Sequence, residues 1–78
     1  MDIGNKIKQL RQKANLTQEQ LGTNLGISAQ SVSKWENSIT MPDISLLPLL
    51  SSELGVTIDE LFDLTTEQKL FTEWLSKI

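Results

Sequence analysis

Residues 18–37, QEQLGTNLGISAQSVSKWEN, constrain the fold more than any other part of the chain. Leu21 and Leu25 lie one helical turn apart, and Val32 and Trp35 share a helix face three residues apart. Gly22 and Gly26 interrupt the segment between these pairs. The pattern predicts two short helices meeting at a sharp corner. Gly26 follows Leu25 as a helix-stopping residue, because glycine enters the left-handed region without steric penalty. Ile27 then fills the corner, and Ser28 is placed to N-cap the second helix. Gly22 costs about 1 kcal/mol relative to alanine inside a helix. Close approach of the second helix explains it better than propensity, and a side chain beyond methyl is expected to push that helix away.

Such a corner is a helix-turn-helix, a unit whose second helix enters the DNA major groove. An ordinary αα-hairpin in a helical bundle is the competing reading. Five apolar sites, two glycines and a cap at compatible spacings favour the corner. The rest of the chain is also helical in pattern. Ile3, Ile7, Leu10 and Ala14 mark one face of a first helix over residues 3–13, with Asn15 as its stop. Thr17 and Gln20 form a capping box for the second helix. The third covers residues 29–36, and the loop 37–42 has no periodicity.

An irregular turn over residues 43–45 is expected to precede a fourth helix over residues 46–54, which ends before Gly55. Ser45 as its N-cap puts Pro48 at a position where the missing N–H costs nothing, whereas Asp43 as the cap makes Pro48 break a helical bond. Thr57 and Glu60 open a short fifth helix near residues 58–62. Thr65 with Gln68 precedes an apolar stripe, Leu70, Phe71, Trp74, Leu75 and Ile78, which predicts a sixth, amphipathic helix. The organisation expected is a domain over residues 1–64 and a C-terminal helix over 65–78.

The chain of 78 residues, 38% hydrophobic and 22% charged, is too apolar for disorder and long enough for only a thin core. It has no Cys and no His. Disulfides, the common zinc sets, a His base and a thiol nucleophile are thereby excluded. No apolar run is long enough for a membrane span, and the N-terminus lacks the stretch of a signal peptide, so a cytoplasmic protein without cofactor is expected. No metal set, phosphate loop or small-molecule site is evident, and an enzyme is poorly supported. The net charge of −3 is unevenly placed. In residues 1–37, Lys6, Lys8, Arg11, Lys13 and Lys34 outnumber Asp2, Glu19 and Glu36, for a net +2. In residues 38–78, two lysines face seven carboxylates, for a net −5. Such a dipolar domain presents its N-terminal half to phosphate, with modest non-specific affinity.

Residues 3–62 resemble the phage-repressor-like helix-turn-helix family, the Cro/CI or XRE group. The matching stretches are IKQLRQKANLTQEQLGTNLGIS, VSKWEN, MPD and LGVTIDELF, in that order. The resemblance implies an all-α fold, a compact lambda-repressor-like bundle of five helices, here with the extra C-terminal amphipathic helix. It also implies a transcriptional regulator, expected to be a repressor, that binds double-stranded DNA as a homodimer on a partly palindromic operator. A DNA-binding antitoxin or adaptor held to another protein by the tail is the second hypothesis. Leu70, Phe71, Trp74, Leu75 and Ile78 would then bind a twin subunit or partner, or else close onto the domain. Many similar domains begin longer regulators, so the chain is open to being a fragment.

The resemblance pairs Arg11 with Glu36, tying helix one to the end of helix three. Buried, the pair is structural, and Arg11 is also a candidate for phosphate. Thr17 and Gln18, at the start of helix two, match backbone-contacting positions, although Gln18 could be a solvated first-turn residue. On the recognition helix, Ala29, Gln30, Ser31, Ser33 and Lys34 are the candidate base readers. Gln30 is foremost, because its amide can bond bidentately to adenine, unless it is simply solvated. Ala29 offers apolar contact alone, and Lys34 reaches guanine or phosphate. Ser28 and Ser31 serve backbone or base. Asn37 resembles a phosphate-contacting position. Ser38, Ile39, Thr40 and Met41 depart from the family, which often carries Gly with Lys or Arg there. Thr40 still offers a hydroxyl to phosphate.

Overall fold

The computed structural model describes residues 3–62. Its elements are α1 (Ile3–Lys13), α2 (Gln18–Leu25), α3 (Ala29–Glu36), a 3-10 turn (Ile44–Leu46), α4 (Leu47–Leu54) and α5 (Ile58–Leu61). No strand occurs among the described residues. The architecture is the expected all-α bundle. The sixth helix expected over the C-terminal stripe lies outside the described residues.

The capping chemistry acts where the sequence places it. Thr17 accepts the Gln20 N–H and the Gln20 side chain accepts the Thr17 N–H, the reciprocal bonds of a capping box. Ser28 accepts the Ser31 N–H at the start of α3, and Thr57 accepts the Glu60 N–H at the start of α5. The exits share one device. After α2 the N–H of Gly26 reaches the Thr23 carbonyl and that of Ile27 reaches the Gly22 carbonyl, the Schellman pairing, with Gly26 at φ 75°. The same paired bonds follow α1 at Asn15 and Leu16, α3 at Ser38 and Ile39, and α4 at Gly55 and Val56. Asn15 and Ser38 are left-handed there without being glycine.

Two stretches differ from expectation. Ala14 is exposed beyond the end of α1, and Arg11 takes the buried position one turn after Ile7. The first-helix face is therefore Ile3, Ile7 and Arg11, with Leu10 half-buried at its edge. At the start of α4, Ser45 is not the cap. The Asp43 carboxylate accepts both the N–H and the hydroxyl of Ser45 at 2.9 Å and caps the 3-10 turn. Those two bonds hold the Asp43 carboxyl below its ordinary value. The turn lets α4 begin at Leu47 with Pro48 in its first turn, where the helix needs no N–H from it. The conflict between an Asp43 cap and Pro48 disappears because the two belong to separate helical pieces.

The core is formed by Ile3, Ile7, Leu21, Leu25, Val32, Trp35, Leu50, Leu54 and Leu61. Every described helix contributes, so α3 is packed from behind by α1 and α2. Its position is set by two points where backbone meets backbone. A Cβ built on Gly22 would stand 2.8 Å from the Ile27 carbonyl oxygen and 3.2 Å from the Ala29 nitrogen. Even a methyl does not fit, a tighter limit than the sequence suggested. A Cβ on Gly4 would collide with the carbonyl oxygen of Trp35. Gly4 in α1 thus admits the C-terminal end of α3 as Gly22 in α2 admits its N-terminal end.

Gly4→Ala and Gly22→Ala should each destabilise the fold by about 1–3 kcal/mol, although alanine is the better helix former. Gly26→Ala meets no neighbour but forces a side chain into the left-handed region, at about 1–2 kcal/mol. Urea unfolding of the three variants checks this, and a gain in stability at Gly4 or Gly22 would overturn the close-approach account.

Candidate nucleic-acid interface

α3 is two-faced. Val32 and Trp35 are buried, while Gln30 and Lys34, one turn apart, are exposed on the other side. Ala29, Ser31 and Ser33 are half-buried along the flanks. The five expected base readers therefore form one outward surface, with Gln30 and Lys34 at its crest. Among the described residues nothing covers those two side chains.

The N-terminal end of α3 is organised by serines. Besides capping, the Ser28 hydroxyl lies 3.1 Å from that of Ser31, so the two share a hydrogen bond. The other end is closed by Asn37, whose side-chain Nδ2 donates to the Ser33 carbonyl at 2.9 Å and to the Ser33 hydroxyl at 3.3 Å. An Asn side chain has one NH2 group. That of Asn37 is committed to α3, leaving its carbonyl oxygen, an acceptor unsuited to phosphate. Thr40 is exposed in the following loop, with its N–H 3.4 Å from the Lys34 carbonyl. Ile39, Met41 and Ile44 are exposed on the same segment, at 68%, 61% and 81%, so the loop is an apolar rim rather than a cationic one.

Behind α3 lies a polar knot. Arg11 Nε donates to Glu36 Oε2 at 2.7 Å, and Nη2 donates to Oε1 at 3.1 Å, a bidentate fork. Arg11 Nη1 donates to the Leu16 carbonyl at 2.8 Å. Gln18 Nε2 donates to Glu36 Oε1 at 3.1 Å. The side chains of Arg11 and Glu36 are 11% and 2% exposed. One carboxylate thus gathers α1, the α1–α2 turn and the first residue of α2 onto the last residue of α3. Arg11 is a structural side chain here, with all three of its nitrogens bonded inside the protein. Gln18 has one N–H of its amide used and a second to donate. The Gln18 bond had no signal in the sequence, because it depends on where α3 ends in space; the Leu16 bond is local, and depends on the turn that follows α1.

Lys8, Lys13 and Lys34 are exposed on α1 and α3. Asp43, Asp59 and Glu60 are exposed on the other side of the sequence, from the loop after α3 to α5. Among the described residues no group of three or more His, Cys, Asp or Glu converges as a metal site, and no helix is long and apolar enough to cross a membrane.

A family model described as helix-turn-helix matches residues 7–61, from α1 to the end of α5. The chain belongs to the helix-turn-helix family, in its Cro/CI (XRE) group. It is similar to the HTH-type transcriptional activator BcrR of Enterococcus faecalis, 44% identical over 61 residues, covering 78% of this chain and 30% of that protein. It is also similar to the HTH-type transcriptional regulator ImmR of Bacillus subtilis (strain 168), 34% identical over 61 residues, covering 78% of this chain and 48% of that protein. The chain therefore spans less than half the length of these curated relatives. Among solved structures, the P22 c2 repressor in complex with a synthetic operator superposes with a TM-score of 0.74 at 34% identity, covering 78% of this chain and 92% of that one. The solution structure of the P22 c2 repressor DNA-binding domain gives 0.75 at 34% identity, covering 80% and 82%. Five-helix bundles of this helix-turn-helix type therefore share both sequence and fold with the chain.

Removing one partner of the Arg11–Glu36 pair should cost about 3–5 kcal/mol, because a buried charge is left unpaired. Arg11→Met together with Glu36→Met should recover much of that loss. A double-mutant cycle by thermal unfolding checks it; additive losses would show that the pair is not coupled.

Proposed function

We propose that this chain is a sequence-specific, double-stranded DNA-binding regulator of transcription that acts by occupying an operator through the major groove. The observation that carries the reading is the outward crest of α3, Gln30 and Lys34 exposed on a helix whose other face is locked into the core. The P22 c2 repressor, similar in sequence and fold, is named in complex with an operator. No enzymatic role is assigned.

Gln30 reads one base pair by its amide, and Ala29 and Ser33 line the neighbouring row, small enough to let base edges approach. Lys34 takes guanine or the adjacent phosphate. Backbone contacts come from the start of α2, where Thr17, the second amide N–H of Gln18 and the first-turn N–H groups face an anion together. Ser28 and Thr40 add hydroxyls on either side of α3. Arg11 and Asn37 are assigned to the scaffold and not to DNA, since three of the five N–H donors of Arg11 and the amide of Asn37 are bonded inside the protein. Two copies bind a partly palindromic operator as a homodimer in the cytoplasm, with half-site centres separated by about one helical turn or a multiple of it. Repression follows where the operator overlaps the promoter, and one relative is named an activator, so the sign of regulation belongs to the site's position.

Selection of bound sites from random duplexes should return a half-site and a fixed spacing. Gln30→Ala should lose about 1–3 kcal/mol of discrimination at one base pair, while Gln18→Ala weakens binding to every sequence alike. Equal losses on selected and random duplexes for both variants would refute this division of roles.

A further inference from the structure

Ile39, Met41 and Ile44, each more than half exposed, fall within one short stretch between α3 and α4. Pro42, between them, is buried and pins that stretch to the body of the domain. From Asn37 to Ser52 the one charged residue is Asp43, and its carboxylate is turned to the N–H and hydroxyl of Ser45. The stretch starts at the recognition helix itself, because the Ile39 N–H donates to the Lys34 carbonyl at 2.9 Å. We propose that this apolar patch is where a second copy of the chain docks, and that the two copies meet on DNA rather than free in solution. The proposal rests on the DNA-binding reading above and names the surface that couples the two half-sites.

Three observations single out a second copy. The first is self-complementarity. A two-fold contact sets a surface against itself. The exposed side of α1 would bring Lys8 and Lys13 against like charge, and α5 would do the same with Asp59 and Glu60. An apolar patch meets its own image without that repulsion, and both sides gain by leaving water. The second is position. The patch holds no cation for phosphate, yet it borders the crest of α3. Two crests in successive turns of one major groove lie about 34 Å apart, close to the diameter of a small domain. Neighbouring copies therefore meet through surfaces that border the crest, not through those behind the bundle. The third is size. Three side chains offer on the order of a few hundred Å2 per copy, against the roughly 800 Å2 per partner that a stable interface buries. Such a patch does not hold two free chains together. It counts once an operator sets the copies side by side, at an effective concentration of about millimolar. Occupancy of the operator then rises more steeply with chain concentration than occupancy of one half-site does.

The test titrates the full chain onto two duplexes, one carrying both half-sites of the selected operator and one carrying a single half-site, with sedimentation of the free chain alongside. The expected result is a monomer in solution at about 10 µM, and a second copy that joins the two-site duplex roughly 10- to 100-fold more tightly than single-site affinity predicts. Met41→Ser together with Ile44→Ser should bring that factor to within about threefold of unity while single-site affinity and Tm stay as in the unsubstituted chain, because both side chains are exposed. Cooperativity that survives the double substitution would overturn the proposal, as would a stable dimer of the free chain. An unsubstituted chain that binds the two half-sites independently would overturn it too, and leave the patch to a different protein. Equal losses on both duplexes would make the patch a DNA contact instead of a docking surface. In each of these cases the DNA-binding reading stands; only a chain that prefers neither duplex over random DNA ends both.

Discussion

The recognition helix is positioned by backbone contact at both ends, and the remaining features follow from that. Gly22 lies under its start and Gly4 under its finish, each too close to α3 backbone to carry a side chain. Carbonyl oxygens cannot rotate away as side chains do, so these contacts fix the separation and angle of α3 against α1 and α2 within a narrow range. Packing of Val32 and Trp35 supplies the attraction. The glycines supply the limit at which attraction stops. A probe that must match a groove of fixed width benefits from a rigid limit more than from additional apolar area.

The Arg11–Glu36–Gln18 knot completes this arrangement by direction rather than distance. A bidentate guanidinium–carboxylate fork is planar and tolerates little rotation. It sets the C-terminal end of α3 relative to α1, while the Gln18 bond sets the start of α2 relative to the same carboxylate. The two ends expected to touch DNA, the start of α2 and the crest of α3, therefore share one buried anchor. With the proposed backbone-contacting and base-reading surfaces coupled in this way, a duplex would meet them in a fixed mutual register.

Much of this was legible before any coordinates, and the reason is local. Thr17 with Gln20, Ser28, Gly26 and Thr57 each act within four residues of themselves, so helix limits could be read from caps and stops. The all-α fold and the outward placement of Gln30 and Lys34 follow from periodicity around Val32 and Trp35. What escaped was set by distant partners. Gly4 looks like a poor helix residue until the Trp35 carbonyl is placed above it; its only sequence signal was a costly glycine between Ile3 and Ile7. Ser38 gives no hint of its left-handed backbone, and the bonds by which the Asn37 amide closes α3 had no sequence signal. At Asp43 and Pro48 the sequence supported an irregular turn ahead of a regular helix, but not which residue caps it, because the Asp43 carboxylate takes both the N–H and the hydroxyl of Ser45.

The most direct test of the central claim, that α3 is a rigid probe presented outward at this corner, is a map of backbone amide shifts as the isotope-labelled chain is titrated with its selected duplex. The account predicts large perturbations confined to residues 17–20, 28–34 and 38–41, with α4 and α5 nearly silent. Perturbations centred on the acidic α4–α5 side, or spread evenly through the core as in a rearranged bundle, would contradict it.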